Sequence, residues 1–177
     1  FSPEGSVLEY GGDFDIAGPL WALGQSRYVI TDAKEIFLAA RNTQGDLLIS
    51  KTVDTVVHSS ATIHTVRCSS SGSPIILAST HQTGPTIIQS APQKEIIHHP
   101  KSHELHEEFL PTPALHVFPT SDGGEAYALF YPPAHPEYAG IDNETPPLLV
   151  LAHGGPTGSA RNELQLGLRY WTSRGWA

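Results

Sequence analysis

The sequence predicts an array of short antiparallel strands of the β-propeller type, followed by the opening of an α/β domain. Three observations carry that reading. Four β-branched runs between residues 27 and 57 recur between residues 63 and 97, with Gly45 and Gly84 at matching places 39 residues apart. A stretch punctuated by Pro92, Pro100, Pro111 and Pro113 then breaks the pattern. After it the order becomes hairpin, apolar strand, glycine turn, helix and strand, which is α/β grammar.

The first set of runs is 27–31, 36–40, 47–50 and 55–57, with Asn42-Thr43-Gln44-Gly45 as the turn between its second and third members. The second set is 63–67, 74–78, 86–89 and 94–97. Each run is bounded by Gly, Asp, Asn or Ser and is too short for a helix. A four-strand unit repeating at about 40 residues has the period of a propeller blade. An antiparallel sandwich, whose strands are also evenly spaced, is the competing arrangement. Two blades do not close a ring, so the repeat leads one to expect more chain on the N-terminal side, with residues 1–6 read as a turn of an earlier blade.

Residues 1–110 are therefore assigned to C-terminal blades plus a linker, and residues 111–177 to the N-terminal part of a truncated α/β unit. Residues 115–120 and 125–131 read as a hairpin about Ser121-Asp122-Gly123-Gly124. In its second strand Ala126, Ala128 and Phe130 face one way and Tyr127, Leu129 and Tyr131 the other. The run 148–152, Leu-Leu-Val-Leu-Ala, is apolar on both faces, as a strand covered on both sides would be. A helix is expected over 160–174, with Leu164, Leu168 and Trp171 on one stripe and Gly175 as its stop. Trp176-Ala177 would open the next strand. With Phe1 at one end, no Met anywhere and an α/β unit just begun at the other, the sequence reads as an internal piece of a longer protein.

Composition removes several classes of function. The formal net charge of -8 leaves no basic stripe for nucleic acid. A single cysteine, Cys68, excludes an internal disulfide and leans toward a reducing compartment, hence the cytoplasm. No apolar run is long enough to span a bilayer, so no membrane partner is expected. His98, His99, His103 and His106 invite a metal reading, but the order His-Glu-x-x-His is not met, and a solvated linker without metal or cofactor is the better account. Cys68 lacks an activating neighbour, Asp122 belongs to a turn, Ser159 and Ser173 flank the expected helix as caps or surface, and Trp21 and Trp171 read as core.

One motif carries chemistry. His153-Gly154-Gly155-Pro156 follows the apolar strand at its carboxyl end, where open α/β sheets place their ligand sites. Paired glycines let backbone amides approach a ligand without a Cβ in the way. In α/β-hydrolases such a turn supplies one N–H of the oxyanion hole, and the residue after the nucleophile supplies the other. Removing one such donor costs about 3–4 kcal/mol of transition-state stabilisation.

Phe118-Pro119-Thr120, Asp122-Gly123, Tyr131-Pro132-Pro133, Pro146-Pro147-Leu148-Leu149-Val150, His153-Gly154-Gly155-Pro156-Thr157 and Tyr170-Trp171-Thr172-Ser173-Arg174-Gly175 together resemble the opening of the catalytic domain of the prolyl oligopeptidase family, in its acylaminoacyl- and dipeptidyl-peptidase-like branch. Gly18-Pro19-Leu20-Trp21 and Gly24-Gln25-Ser26-Arg27-Tyr28 resemble the late propeller of the same branch. The resemblance implies the last blades of a β-propeller followed by the start of an α/β-hydrolase domain, and a serine peptidase that cleaves short peptides through an acyl-enzyme. It implies Gly155 N–H as the oxyanion donor, with His153 and Pro156 shaping the turn. No Gly-x-Ser-x-Gly occurs, so the serine, aspartate and histidine of the triad are expected beyond Ala177 and these residues alone are expected to be inactive and to fold poorly. The alternatives are an esterase-like hydrolase with the same turn, and a non-catalytic propeller that serves as an interaction module.

Overall fold

The computed structural model describes residues 14–16, 18, 22–100, 106–155 and 158–177. Residues 1–6, Trp21, His103 and Pro156, on which parts of the sequence reading fall, lie outside them.

Eight strands form two four-stranded antiparallel sheets, each running in chain order. The first comprises β1 (Tyr28–Ile30), β2 (Ile36–Asn42), β3 (Gly45–Ser50) and β4 (Thr55–Ser60). The second comprises β5 (Thr62–Cys68), β6 (Pro74–Ser79), β7 (Thr86–Gln89) and β8 (Glu95–His98). Offsets between corresponding strand starts run from 34 residues (Tyr28 to Thr62) to 41 (Gly45 to Thr86), so the repeat seen in sequence is a repeat of meanders. The β2–β3 turn is closed by Asn42, whose Oδ1 accepts the N–H groups of Gln44 and Gly45. Each sheet buries one face against the other. Phe37, Ala39 and Leu48 of the first meet Ile63, Val66, Ile76, Ala78 and Ile88 of the second.

A buried carboxylate ties the two sheets together. Asp46 alternates onto the same face as Leu48 and is wholly buried. It accepts hydrogen bonds from Arg27 Nη1 at 3.2 Å, Arg41 Nε at 2.6 Å and Arg41 Nη2 at 3.1 Å. The Ile63 N–H of β5 also donates to it at 2.8 Å. Burial by itself would raise the Asp46 pKa, but the hydrogen bonds from Arg41 and Ile63 and the charges of Arg41 and Arg27 outweigh it and hold the carboxyl below the ordinary range.

Strands β9 (Ala114–Pro119) and β10 (Glu125–Phe130) form the expected hairpin. Its turn is the one read from Ser121-Asp122-Gly123-Gly124: the Thr120 N–H donates to Gly124 O and the Gly124 N–H to Asp122 Oδ1. The remaining elements depart from expectation. Residues 148–152 are not part of any sheet, and Leu148, Val150 and Leu151 are exposed rather than buried on both faces. Their one ladder contact is with Ala177, whose N–H donates to Pro147 O while its carbonyl accepts from Leu149 N–H. That is the bonding pattern of a parallel pair. A buried central strand needs neighbours on both edges and cover on both faces, and the described residues supply one edge contact.

The helix is α1 (Leu166–Thr172), half the length expected over 160–174. Residues 160–165 are irregular and are tied to the second sheet instead, by Leu164 N–H on Thr80 O and by Glu163 beside His64. Its buried side chains are Arg169 and Thr172, whereas Trp171, expected in the core, is exposed and packs edge-on against Tyr170 and Trp176. Arg169 explains the inversion. Its Nη1 donates to Pro111 O at 3.1 Å, its Nη2 donates to His81 O at 3.0 Å, and the guanidinium lies over the Tyr131 ring. A cation satisfying two carbonyls fixes which face turns inward, and the apolar stripe is left to the side.

Replacing Asp46 by Ala strands two half-buried guanidiniums and should cost about 3–5 kcal/mol in denaturant unfolding; a loss below about 1 kcal/mol would show the cluster to be incidental. Acid should destabilise the protein in two stages. Burial, reinforced by Lys94, pushes His58 down to about 4 from 6.5. A depressed histidine favours the unfolded state once that state protonates, so its contribution is full above pH 6.5 and is lost as the pH falls toward 4. That loss is at most about 3 kcal/mol, and His58→Gln should shrink it. Asp46 adds its own loss only below the unfolded value of about 3.9. Melting temperatures of the two proteins across pH 3–8 test both stages.

Candidate functional site

His153, Gly154 and Gly155 sit in one exposed turn after the extended 148–152 segment. Gly155 has φ +74°, a left-handed conformation that costs an L side chain about 1–2 kcal/mol. Neither the Gly154 nor the Gly155 N–H is hydrogen-bonded to another described residue. The turn closes by a tight backbone approach at Gly158, where a Cβ would sit 2.5 Å from Gly154 O and 3.0 Å from His153 Nδ1. Gly158, rather than Gly154, is therefore the position where absence of a side chain is a packing requirement.

His153 lines a cleft of about 670 Å³. One wall is the β2–β3 turn of the first sheet with Arg41, Asn42 and Gly45, continued by Thr62 at the start of β5. The segment from Ser159 to Asn162 also lines the cleft. Leu115 of β9 and Ala126, Ala128 and Leu129 of β10 supply apolar surface between them. Ser159, expected beside a helix, thus lines the cleft, while Ser173 donates its hydroxyl hydrogen to Tyr170 O at the helix end as a cap would.

Sequence reasoning missed the polar residues around this cleft. Asp46, Arg41, His64, Thr62, Arg161 and Glu163 come from four separate segments, and no spacing joins them. His64 is the extra residue of a bulge in β5, which re-aims its ring. Its Nε2 lies 2.8 Å from Ser79 Oγ and 3.5 Å from Glu163 Oε2. A serine, a histidine and a carboxylate are therefore adjacent, but both contacts use the same ring nitrogen and Ser79 is 2% exposed. A catalytic relay needs one nitrogen for the nucleophile and the other for the acid, so this group is structural. Burial holds the imidazole below its ordinary pKa despite Glu163, and Arg161 adds to the depression.

No family model and no curated protein sequence matches the chain. Solved structures do. A crystal structure of puromycin hydrolase aligns with TM-score 0.81 at 24% identity, covering 94% of this chain and 26% of that one. A serine-to-alanine mutant of puromycin hydrolase complexed with PGG aligns with TM-score 0.80 at 25% identity over the same shares. A puromycin-hydrolyzing peptidase of Mycobacterium tuberculosis aligns with TM-score 0.80 at 21% identity, covering 94% of this chain and 27% of that one. The chain thus spans about a quarter of the length of the solved structures it matches. No helix among the described residues is long and apolar enough to cross a membrane.

Gly158→Ala should destabilise the turn, since a backbone oxygen stands in the way, whereas Gly154→Ala should be nearly neutral because nothing lies within 4 Å. Gly155→Ala has equal room but should cost about 1–2 kcal/mol through its backbone conformation. Equal unfolding free energies for the three variants would contradict this account.

Proposed function

We propose that these residues belong to a serine peptidase of the prolyl oligopeptidase family, in which the last blades of a β-propeller meet the opening of an α/β-hydrolase domain. The observation that carries the reading is that a single structural match to puromycin hydrolase runs across both parts of the chain, strand repeats and turn–helix alike. That a neighbour was solved with one serine changed to alanine and PGG bound supports a serine-dependent reaction.

In this reading the two sheets are blades, and the cleft between the β2–β3 turn and the 159–162 segment lies where a substrate would enter between propeller and hydrolase. The substrate is a short peptide or aminoacyl amide. A serine outside these residues attacks the carbonyl carbon, and its proton passes through a histidine to the departing amine. The resulting acyl-enzyme is then hydrolysed by water. Gly155 contributes the oxyanion donor: it is held in a conformation that only glycine adopts cheaply, and its N–H has no partner among the described residues. His153 precedes the glycine pair in that turn. No cofactor enters the reaction.

The intact protein should react stoichiometrically with a fluorophosphonate probe and hydrolyse puromycin or a short peptide amide. Residues 1–177 alone, with no Gly-x-Ser-x-Gly, should not react. Labelling of the isolated residues would overturn the placement of the nucleophile, and an unreactive intact protein would favour an interaction module.

A further inference from the structure

The cleft is positively charged in a chain of net charge -8. Arg41 and Arg161 both line it. Two guanidiniums, Arg27 and Arg41, share the single carboxylate of Asp46. Arg161 has no carboxylate partner among the described residues, because the nearest acid in its own segment, Glu163, is engaged with His64. Arg41 shares Asp46 with Arg27 while Arg161 is unmatched among the described residues, and such an excess of cation on a concave wall attracts an anion more strongly than it would on open surface.

A second and independent observation points to a ligand. Thr62 is wholly buried at the cleft wall, and its Oγ1 has no hydrogen-bond partner. Asn162 also lines the cleft, and its buried Oδ1 is likewise unpartnered. Buried polar atoms without partners are rare, and those at a cleft wall suit groups that a ligand would bring. The complement is specific: an anion for the guanidiniums, an acceptor for the Thr62 hydroxyl, an N–H for Asn162 Oδ1, and an apolar side chain against Leu115 and Leu129. A peptide end carries all four.

We propose that this cleft is a subsite for the free C-terminal carboxylate of a short peptide, held by Arg161 and Arg41 with Thr62 and Asn162 on its last amide. The proposal deepens the peptidase reading and rests on it for the identity of the ligand as substrate. It makes the enzyme selective for short peptides that end in the cleft, with an apolar last residue.

The test is calorimetric titration of the intact protein with three probes: N-acetyl-alanyl-leucine as the free acid, the same dipeptide as its amide, and N-acetyl-alanyl-glutamate amide. The acid should bind at least about tenfold tighter than the leucine amide, the factor that one charge-assisted hydrogen bond supplies. The preference should weaken with salt. Arg161→Gln should abolish it and Arg161→Lys should retain part of it. Arg161 is exposed and forms no ion pair among the described residues, so its replacement leaves the fold intact; Thr62→Val offers a second, isosteric probe of the same site. Equal affinity for acid and amide, no binding of either, or a preference that survives Arg161→Gln overturns the proposal. Tighter binding of the glutamate amide would reassign the subsite to an acidic side chain and overturn the terminal assignment. Acid preference in a protein that does not react with fluorophosphonate would sink the peptidase reading and leave the carboxylate site standing. Reactivity without acid preference would sink the subsite alone.

Discussion

The structure hangs on the carboxylate of Asp46. It is a polar junction of two sheets that also meet through an apolar core including Phe37, through Arg27 on the Ile63 carbonyl and through the Val66 N–H on Ser26 O. Arg27 precedes β1, Arg41 lies in β2, Asp46 in β3, and the Ile63 N–H that closes the set belongs to β5. Apolar contact between sheets is strong but non-directional, and it tolerates sliding. A buried carboxylate with four hydrogen bonds does not, because any slip leaves a charge unpaired in a poor solvent. The cluster therefore sets the register of β5 on the first sheet, and with it the distance between the β2–β3 turn and Thr62. Those two features form one wall of the cleft.

The other wall is positioned by a second cation used in the same way. Arg169 is buried at the face of α1 and bridges Pro111 O, His81 O and the ring of Tyr131. Burial pushes the Tyr131 hydroxyl up, and Tyr131 stays neutral beneath the guanidinium. Glu163 on His64 and Leu164 on Thr80 anchor the chain just before the helix. Residues 159–162 are thus held against the second sheet while Asp46 holds the first. The cleft is the space between two separately pinned segments, and its excess of guanidinium over carboxylate follows from Asp46 serving two arginines at once.

Legibility from sequence was uneven, and the pattern has a cause. All eight strands of the two meanders were readable within a few residues at each end, and 86–89 coincides with β7. The hairpin and its Asp122-Gly123 turn were equally readable. Each of these is set by local turn chemistry and by period-two alternation. The 148–152 segment and the helix were misread because apolar runs announce a wish for cover, not its presence. Leu148 and Val150 satisfy every criterion for a central strand and still face solvent among the described residues. The stripe of Leu164, Leu168 and Trp171 promised an inward face, but Arg169 claimed it by reaching two carbonyls far away in the chain.

The sequence by itself determined what short-range physics controls: strand lengths, turns and the repeat. Gly155 was legible as one of a glycine pair, and its left-handed backbone, φ +74°, is one that glycine enters at less cost than other residues. Only the tertiary structure decided which charges meet. Asp46 stood out in no motif of the sequence, and Arg161 and Glu163 fell inside the helix expected over 160–174. The partners of Asp46 and Glu163 lie from 5 to about 100 residues away, and the energy of a buried ion depends on distance and solvent, which no spacing along the chain encodes.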